Sequence, residues 1–180
     1  LALAREAALR GAAVTVVLGP VTITIPDELT VVNVVSAKEM YEACDGIFDQ
    51  QDIVIWAAAV ADYTPAEVAH EKIKKEGTTL QLELVKTIDI AASLGQRKKA
   101  NQILVGFALE TQNEIENASQ KVVKKNLDFV VLNSLRDEGA GFGVDTNQVS
   151  LVYKGGRHEK LSLKSKEMVA VDIIDALLAL

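Results

Sequence analysis

The sequence predicts a doubly wound α/β domain with a mostly parallel sheet and an antiparallel edge hairpin. Three observations carry this. Short apolar, β-branched runs open at Val14, Val31, Ile53, Ile103 and Phe129, as strands buried on both faces do. Helix-like stretches alternate with most of them, the order of a parallel sheet with crossovers. Near the carboxyl end, two strand-like stretches flank Gly155-Gly156, a hairpin signal. The chain has 180 residues, 49% of them apolar, which suits one domain with a sizeable core.

Each element has its own local reason. Residues 1–11 read as a helix in which Leu1, Leu3 and Leu9 are apolar, and Gly11 stops it. Residues 14–18 form a strand closed by Gly19-Pro20, and 31–35 form the next. Ser36 caps a helix over 37–50, with Glu39 completing a capping box. Residues 53–58 are the third strand. A flap with Lys72, Lys74 and Lys75 follows, then an alternating arm at 79–85 with Leu80, Leu82 and Leu84 on one face. Thr87 or Asp89 caps a helix running to about Lys99. Residues 103–108 form a strand, 113–126 a helix and 129–132 a strand. Residues 149–153 and 158–163 form the hairpin, and 166–180 an amphipathic closing helix. The five runs are expected to form one Rossmann-like sheet. Such a domain normally places a strand and a Gly- or Ser-rich turn before its first helix. The expectation is that this 1–180 domain lacks both.

Bulk properties exclude several classes. A net charge of −6 argues against a general nucleic-acid surface. Cys44 is the one cysteine, so no internal disulfide forms and a reducing, cytoplasmic setting is favoured. No apolar run approaches the ~20 residues of a membrane span. His70 and His158 have no companion at zinc-ligand spacing. The motifs of serine hydrolases, P-loop enzymes and the common dinucleotide fingerprint are absent.

The stretch from Ile53 to Lys75 carries the functional signal. A buried strand ends in Ala57-Ala58-Ala59, where small side chains let a ligand approach the backbone. Ligands bind at the carboxyl ends of strands in open α/β sheets. Asp62 follows, either accepting hydrogen bonds from a ligand, or helping to hold a metal bound to phosphate, or capping or tightening its loop. Lys72, Lys74 and Lys75 are either a flap that brings ammonium groups to phosphate or a solvated charge run. Lys121 and Lys125 share a helical face, by a macrodipole preference or to meet a ligand. Phe107 either stacks on a base or fills the core.

Taken together, Ala57-Ala58-Ala59-Val60-Ala61-Asp62-Tyr63, Glu71-Lys72-Ile73-Lys74-Lys75, Val105-Gly106-Phe107-Ala108-Leu109-Glu110-Thr111 and Lys124-Lys125-Asn126-Leu127-Asp128 resemble phosphopantothenoylcysteine synthetase. That family is the synthetase domain of the bacterial bifunctional coenzyme A biosynthesis protein. The resemblance runs the length of the chain and is nearer the CTP-using bacterial branch than the ATP-using one. It implies ligation of 4′-phosphopantothenate to cysteine through an acyl-cytidylate, with magnesium accompanying CTP. It implies that Lys72 acts in conversion of the acyl-cytidylate. It implies nucleotide contacts at Ala57, Ala58, Asp62, Lys72, Phe107, Lys121 and Lys125. Val85-Lys86-Thr87-Ile88 is similar to a further nucleotide stretch, with Thr87 and Ile88 in place of Asn and Pro. The family's Asn- and Ser-Ser-Gly-bearing amino-terminal turn has no counterpart here. The metal ligands are not assigned. The implied partners are the three small-molecule substrates, a second copy of the chain and a fused flavin-dependent decarboxylase, with no nucleic acid or membrane.

Two other readings fit part of the pattern. One is a nucleotide-binding module without catalysis. The other, a short-chain NAD(P)-dependent oxidoreductase, lacks its Tyr-x-x-x-Lys pair and glycine-rich turn.

Overall fold

The computed structural model describes residues 1–22, 24–69, 71–74, 78–134 and 145–180. His70 and Lys75, both considered above, lie outside these residues. In chain order the first half comprises α1 (Ala2–Leu9), β1 (Thr15–Leu18), β2 (Thr30–Asn33), α2 (Ala37–Phe48), β3 (Ile53–Trp56), β4 (Tyr63–Pro65) and β5 (Leu84–Lys86). Then come α3 (Ile90–Gly95), β6 (Ile103–Glu110), α4 (Glu114–Lys124), β7 (Phe129–Ser134) and β8 (Thr146–Asn147). β9 (Val149–Tyr153), β10 (His158–Lys160), β11 (Lys164–Ser165) and α5 (Lys166–Leu178) complete the chain.

The main sheet has five strands in the order β10-β9-β7-β6-β3. β3, β6 and β7 are parallel, and β9 and β10 add antiparallel at one edge. The expected α/β class and edge hairpin are therefore present. Burial on both faces explains why β6 and β7 are almost wholly apolar. Alternation sends Leu104, Ala108, Val130 and Leu132 to one face, where they meet Leu94 of α3 and Ala118 and Val122 of α4. Val105, Phe129 and Val131 go to the other face and meet Val169, Ile173 and Leu177 of α5. Helices thus cover both faces of one sheet. Among the described residues, no helix is long and apolar enough to cross a membrane.

The single sheet expected from the five runs is not what forms. β1 and β2 pair in parallel as a separate two-stranded sheet, with Thr15 opposite Thr30. Among the described residues β1 bonds only β2, and β3 bonds only β6, so the ladder breaks between β1 and β3. A β-branched run specifies a strand, but a ladder also needs a neighbour within about 4.8 Å. Each of these two strands has one unpaired edge among the described residues.

Several boundaries also differ. β2 begins at Thr30 and ends at Asn33, so Val34 and Val35 lie beyond it. β3 ends at Trp56 rather than Ala58, whereas β6 runs on to Glu110. Ser36 caps α2 as expected, accepting from the Glu39 N–H at 3.1 Å, but Glu39 reaches back to the Val35 N–H instead of that of Ser36. α3 ends at Gly95, well short of Lys99. There the chain passes so close to α4 that a Cβ on Gly95 would lie 2.1 Å from the Lys125 carbonyl oxygen. Within the arm only residues from Leu84 onward are strand, pairing with β4. Leu80, Leu82 and Leu84 are 65%, 59% and 52% exposed, so the arm is barer than the half-exposed one expected. β4, β8 and β11 are two or three residues long and depend on partners distant in sequence.

Candidate functional site

The carboxyl ends of β3 and β6, the base of the arm and α4 are linked by hydrogen bonds and short stretches of backbone. The linkage begins where β3 gives way to the small residues Ala57, Ala58 and Ala59, all exposed. The backbone then turns to Asp62, opposite Thr87 in continuation of the β4–β5 ladder. The Thr87 N–H donates to the Asp62 carbonyl at 2.9 Å. Its hydroxyl donates to the Ala61 carbonyl at 2.6 Å. Thr87, which departs from the pattern noted above, thereby ties residues 57–62 to the stretch containing Val85 and Lys86. The Asp62 carboxylate is exposed and has no side-chain partner among the described residues.

Two residues further on, Asp89 settles which side chain caps α3, accepting from the Ala92 N–H at 3.1 Å. The same oxygen pairs with the Lys125 ammonium at 3.0 Å. Burial opposes the charge on Asp89, but the Ala92 N–H and Lys125 outweigh it and hold the carboxyl below its ordinary range. Lys125 is fixed at its backbone as well. The next residue, Asn126, is left-handed at φ 52°, and its Nδ2 donates to the Gly95 carbonyl at 3.0 Å.

Lys121, one turn earlier on α4, pairs with Glu110 at 2.6 Å. Glu110 continues the register of Leu104 and Ala108, so strand alternation points it at α4. Its other oxygen accepts from Asn117 Nδ2 at 3.1 Å. Burial again opposes the charge, and Lys121 and Asn117 overcome it, leaving the Glu110 carboxyl below its ordinary range. With both carboxyls lowered, their ion pairs hold at neutral pH and weaken only as pH falls through those lowered values.

The structure separates other candidates from this group. Phe107 packs against the cluster under α5, on the sheet face opposite α4, while remaining partly exposed. It sits at the margin of that core. Lys72 and Lys74 are exposed and have no ion pair among the described residues. No group of three or more His, Cys, Asp or Glu able to hold a metal occurs among the described residues. Sequence reasoning gave no role to Glu110, Asn117 or the Asp89–Lys125 pair. For Glu110 a signal existed, an acid ending a buried strand in register with its inward side chains. For Asp89 and Lys125, 36 residues apart, there was none.

The model of the DNA/pantothenate metabolism flavoprotein C-terminal domain family matches residues 1–180. The chain is 51% identical over 181 residues to a protein named cysteine/cysteine sulfinic acid decarboxylase, from an unknown prokaryotic organism, covering 100% of this chain and 50% of that one. It is 44% identical over 180 residues to the coenzyme A biosynthesis bifunctional protein CoaBC of Bacillus subtilis (strain 168), covering 99% of this chain and 44% of that protein. The chain spans about half the length of the curated relatives it matches. A crystal structure of the C-terminal domain of CoaBC superposes with a TM-score of 0.80 at 35% identity, over 97% of this chain and 78% of that one.

Proposed function

This chain belongs to the DNA/pantothenate metabolism flavoprotein C-terminal domain family, and from that premise we propose that it ligates 4′-phosphopantothenate to cysteine with CTP. The observation that carries the proposal is the pair of links that tie Ala61 and Asp62 to Thr87 and, two residues on, Asp89 to Lys125, beside the Glu110–Lys121 pair at the end of β6. This arrangement places small residues at the carboxyl ends of strands, where an α/β sheet receives a nucleotide, with the Lys121 ammonium drawn up to Glu110 at the end of β6 and the Lys125 ammonium held at Asp89.

The chemistry has two steps. The carboxylate of 4′-phosphopantothenate attacks the α-phosphorus of CTP, forming the acyl-cytidylate and expelling pyrophosphate. The cysteine amine then attacks the acyl carbon, forming the amide and expelling CMP. Negative charge gathers on the phosphates in the first step and on CMP in the second. Ammonium groups aimed at it stabilise both transition states. Lys121 and Lys125 serve as the fixed cations. Lys72, free on its exposed flap, approaches the acyl-cytidylate. Ala57, Ala58, Val85 and Lys86 contribute nucleotide contacts, and Phe107 offers its exposed edge to the nucleotide.

Magnesium enters with CTP. It uses one or two carboxylates together with substrate phosphates, so a dedicated protein cage is not required. Asp62, with its carboxylate open to solvent, suits that role. The ion supplies charge neutralisation when bound.

The protein acts in the cytoplasm as a homodimer, supported by the apolar arm, where Leu80 and Leu82 are 65% and 59% exposed. The fused flavin-dependent decarboxylase is supported by the relative named a bifunctional protein, of which the chain covers 44%. The complete gene product is expected to sediment as a dimer. It should release pyrophosphate with CTP, only when phosphopantothenate is present, and much less with ATP at equal concentration. Equal rates with the two nucleotides would overturn the CTP assignment. Nucleotide binding without pyrophosphate release would favour the non-catalytic module.

A further inference from the structure

We propose that Glu110 is a positioning residue, which holds the Lys121 ammonium at the carboxyl end of β6 ready for the nucleotide phosphates. This rests on the nucleotide site described under Proposed function. Lys121 is one α4 lysine whose backbone is not near that edge. Glu114 opens α4 beside the end of β6, and the helix then runs back along the sheet, so Lys121 lies two turns further down. A lysine side chain in a helix leans toward the amino end, which aims Lys121 back up at Glu110. Its four-carbon stem is flexible, and without an anchor the ammonium would sample many positions.

Glu110 is built to be that anchor. It is the last residue of β6, and its side chain is 15% exposed. One oxygen takes Lys121 at 2.6 Å and the other takes Asn117 at 3.1 Å. Asn117 is itself held, because the same Nδ2 donates to the Gln112 carbonyl at 2.9 Å. Asn117 and Lys121 are one helical turn apart and face the same carboxylate. The carboxylate is thus oriented by a neutral group before it orients the cation. A bare surface ion pair would lack that second bond and would be worth little.

A double-mutant cycle tests this, with CTP affinity measured calorimetrically on the complete gene product. Lys121→Gln alone is expected to weaken CTP binding. Glu110→Gln, which keeps the shape and removes the charge, is expected to weaken it roughly tenfold when Lys121 is present and less than about twofold when it is absent. A role confined to fastening β6 to α4 would give the same loss in both backgrounds. That additive result would overturn the proposal and leave the nucleotide site intact. Tighter CTP binding by Glu110→Gln would show the pair to be a restraint and would also overturn it. No loss from Lys121→Gln alone would overturn both the proposal and the site on which it rests. If Glu110→Gln melts early, Asn117→Ala replaces it. That variant keeps the carboxylate but frees its second oxygen, and its smaller loss should again vanish without Lys121.

Discussion

Lys72→Gln is expected to bind CTP, form the acyl-cytidylate and then stall before cysteine attacks. Lys72 is exposed on the flap and shares no ion pair among the described residues, so its ammonium is free to follow the reacting group. Removing one such contact to developing charge costs about 2.7–4 kcal/mol, on the order of 100- to 1000-fold in rate. Lys125 is different because Asp89 holds it in place before any ligand arrives. Lys125→Gln should therefore weaken CTP binding and reduce the amount of intermediate formed. Quenched-flow measurement with labelled CTP, counting intermediate per active site, separates the two. If Lys125→Gln accumulates intermediate and Lys72→Gln does not, the division between mobile and fixed cations is wrong.

The second large effect is expected at Gly95, the last residue of α3. A methyl group there meets the Lys125 carbonyl oxygen at 2.1 Å and its carbon at 3.0 Å. Both are backbone atoms, so α3 and α4 must move apart. Overpacking of this kind costs about 3 kcal/mol. The displacement also stretches the hydrogen bond from Asn126 Nδ2 to the Gly95 carbonyl that fixes the chain beside Lys125, so CTP affinity should fall with stability. Gly46 in α2 is the control, because nothing lies within 4 Å of its added Cβ. Gly46→Ala should gain about 0.5–1 kcal/mol from helix propensity and leave CTP binding unchanged. Urea unfolding at unchanged m-value reads both. A Gly95→Ala protein as stable as the parent would mean that the helix ends yield without cost.

Local signals made much of this legible. The strands of the main sheet announce themselves because burial on both faces leaves no room for polar residues. Ser36 and Asp89 could be recognised as caps because capping is decided within four residues. What escaped was set by partners far along the chain. α3 gives no local sign that Gly95 will meet Lys125. Tyr63–Pro65 becomes a strand only by pairing with Leu84–Lys86. The same holds for the site. Spacing singled out Lys121 and Lys125, and strand-end position singled out Ala57 and Ala58. The carboxylates that fix the two lysines come from β6 and from the start of α3, and their approach depends on how the helices pack. Phe107 shows the opposite limit. Its residue type allowed two roles, and the fold packs it under α5 while leaving part of it exposed.

The break between β1 and β3 has a consequence for how the molecule opens. Cooperative unfolding units follow continuous ladders and shared cores. Val105, Phe129 and Val131 sit in one five-stranded ladder and are essentially inaccessible to solvent. Among the described residues β1 and β2 bond only each other and contain no fully buried residue, and β1 packs on α2. They are thus expected to open as a separate unit at lower free energy than the rest. Native-state hydrogen exchange should show the amides of Val16, Val17 and Val32 exchanging through that partial opening. The amides of Val105, Val130 and Val131 should wait for global unfolding. Equal protection across the two groups would mean that the helix packing alone couples the halves into one cooperative body, and that an interrupted ladder need not be a seam.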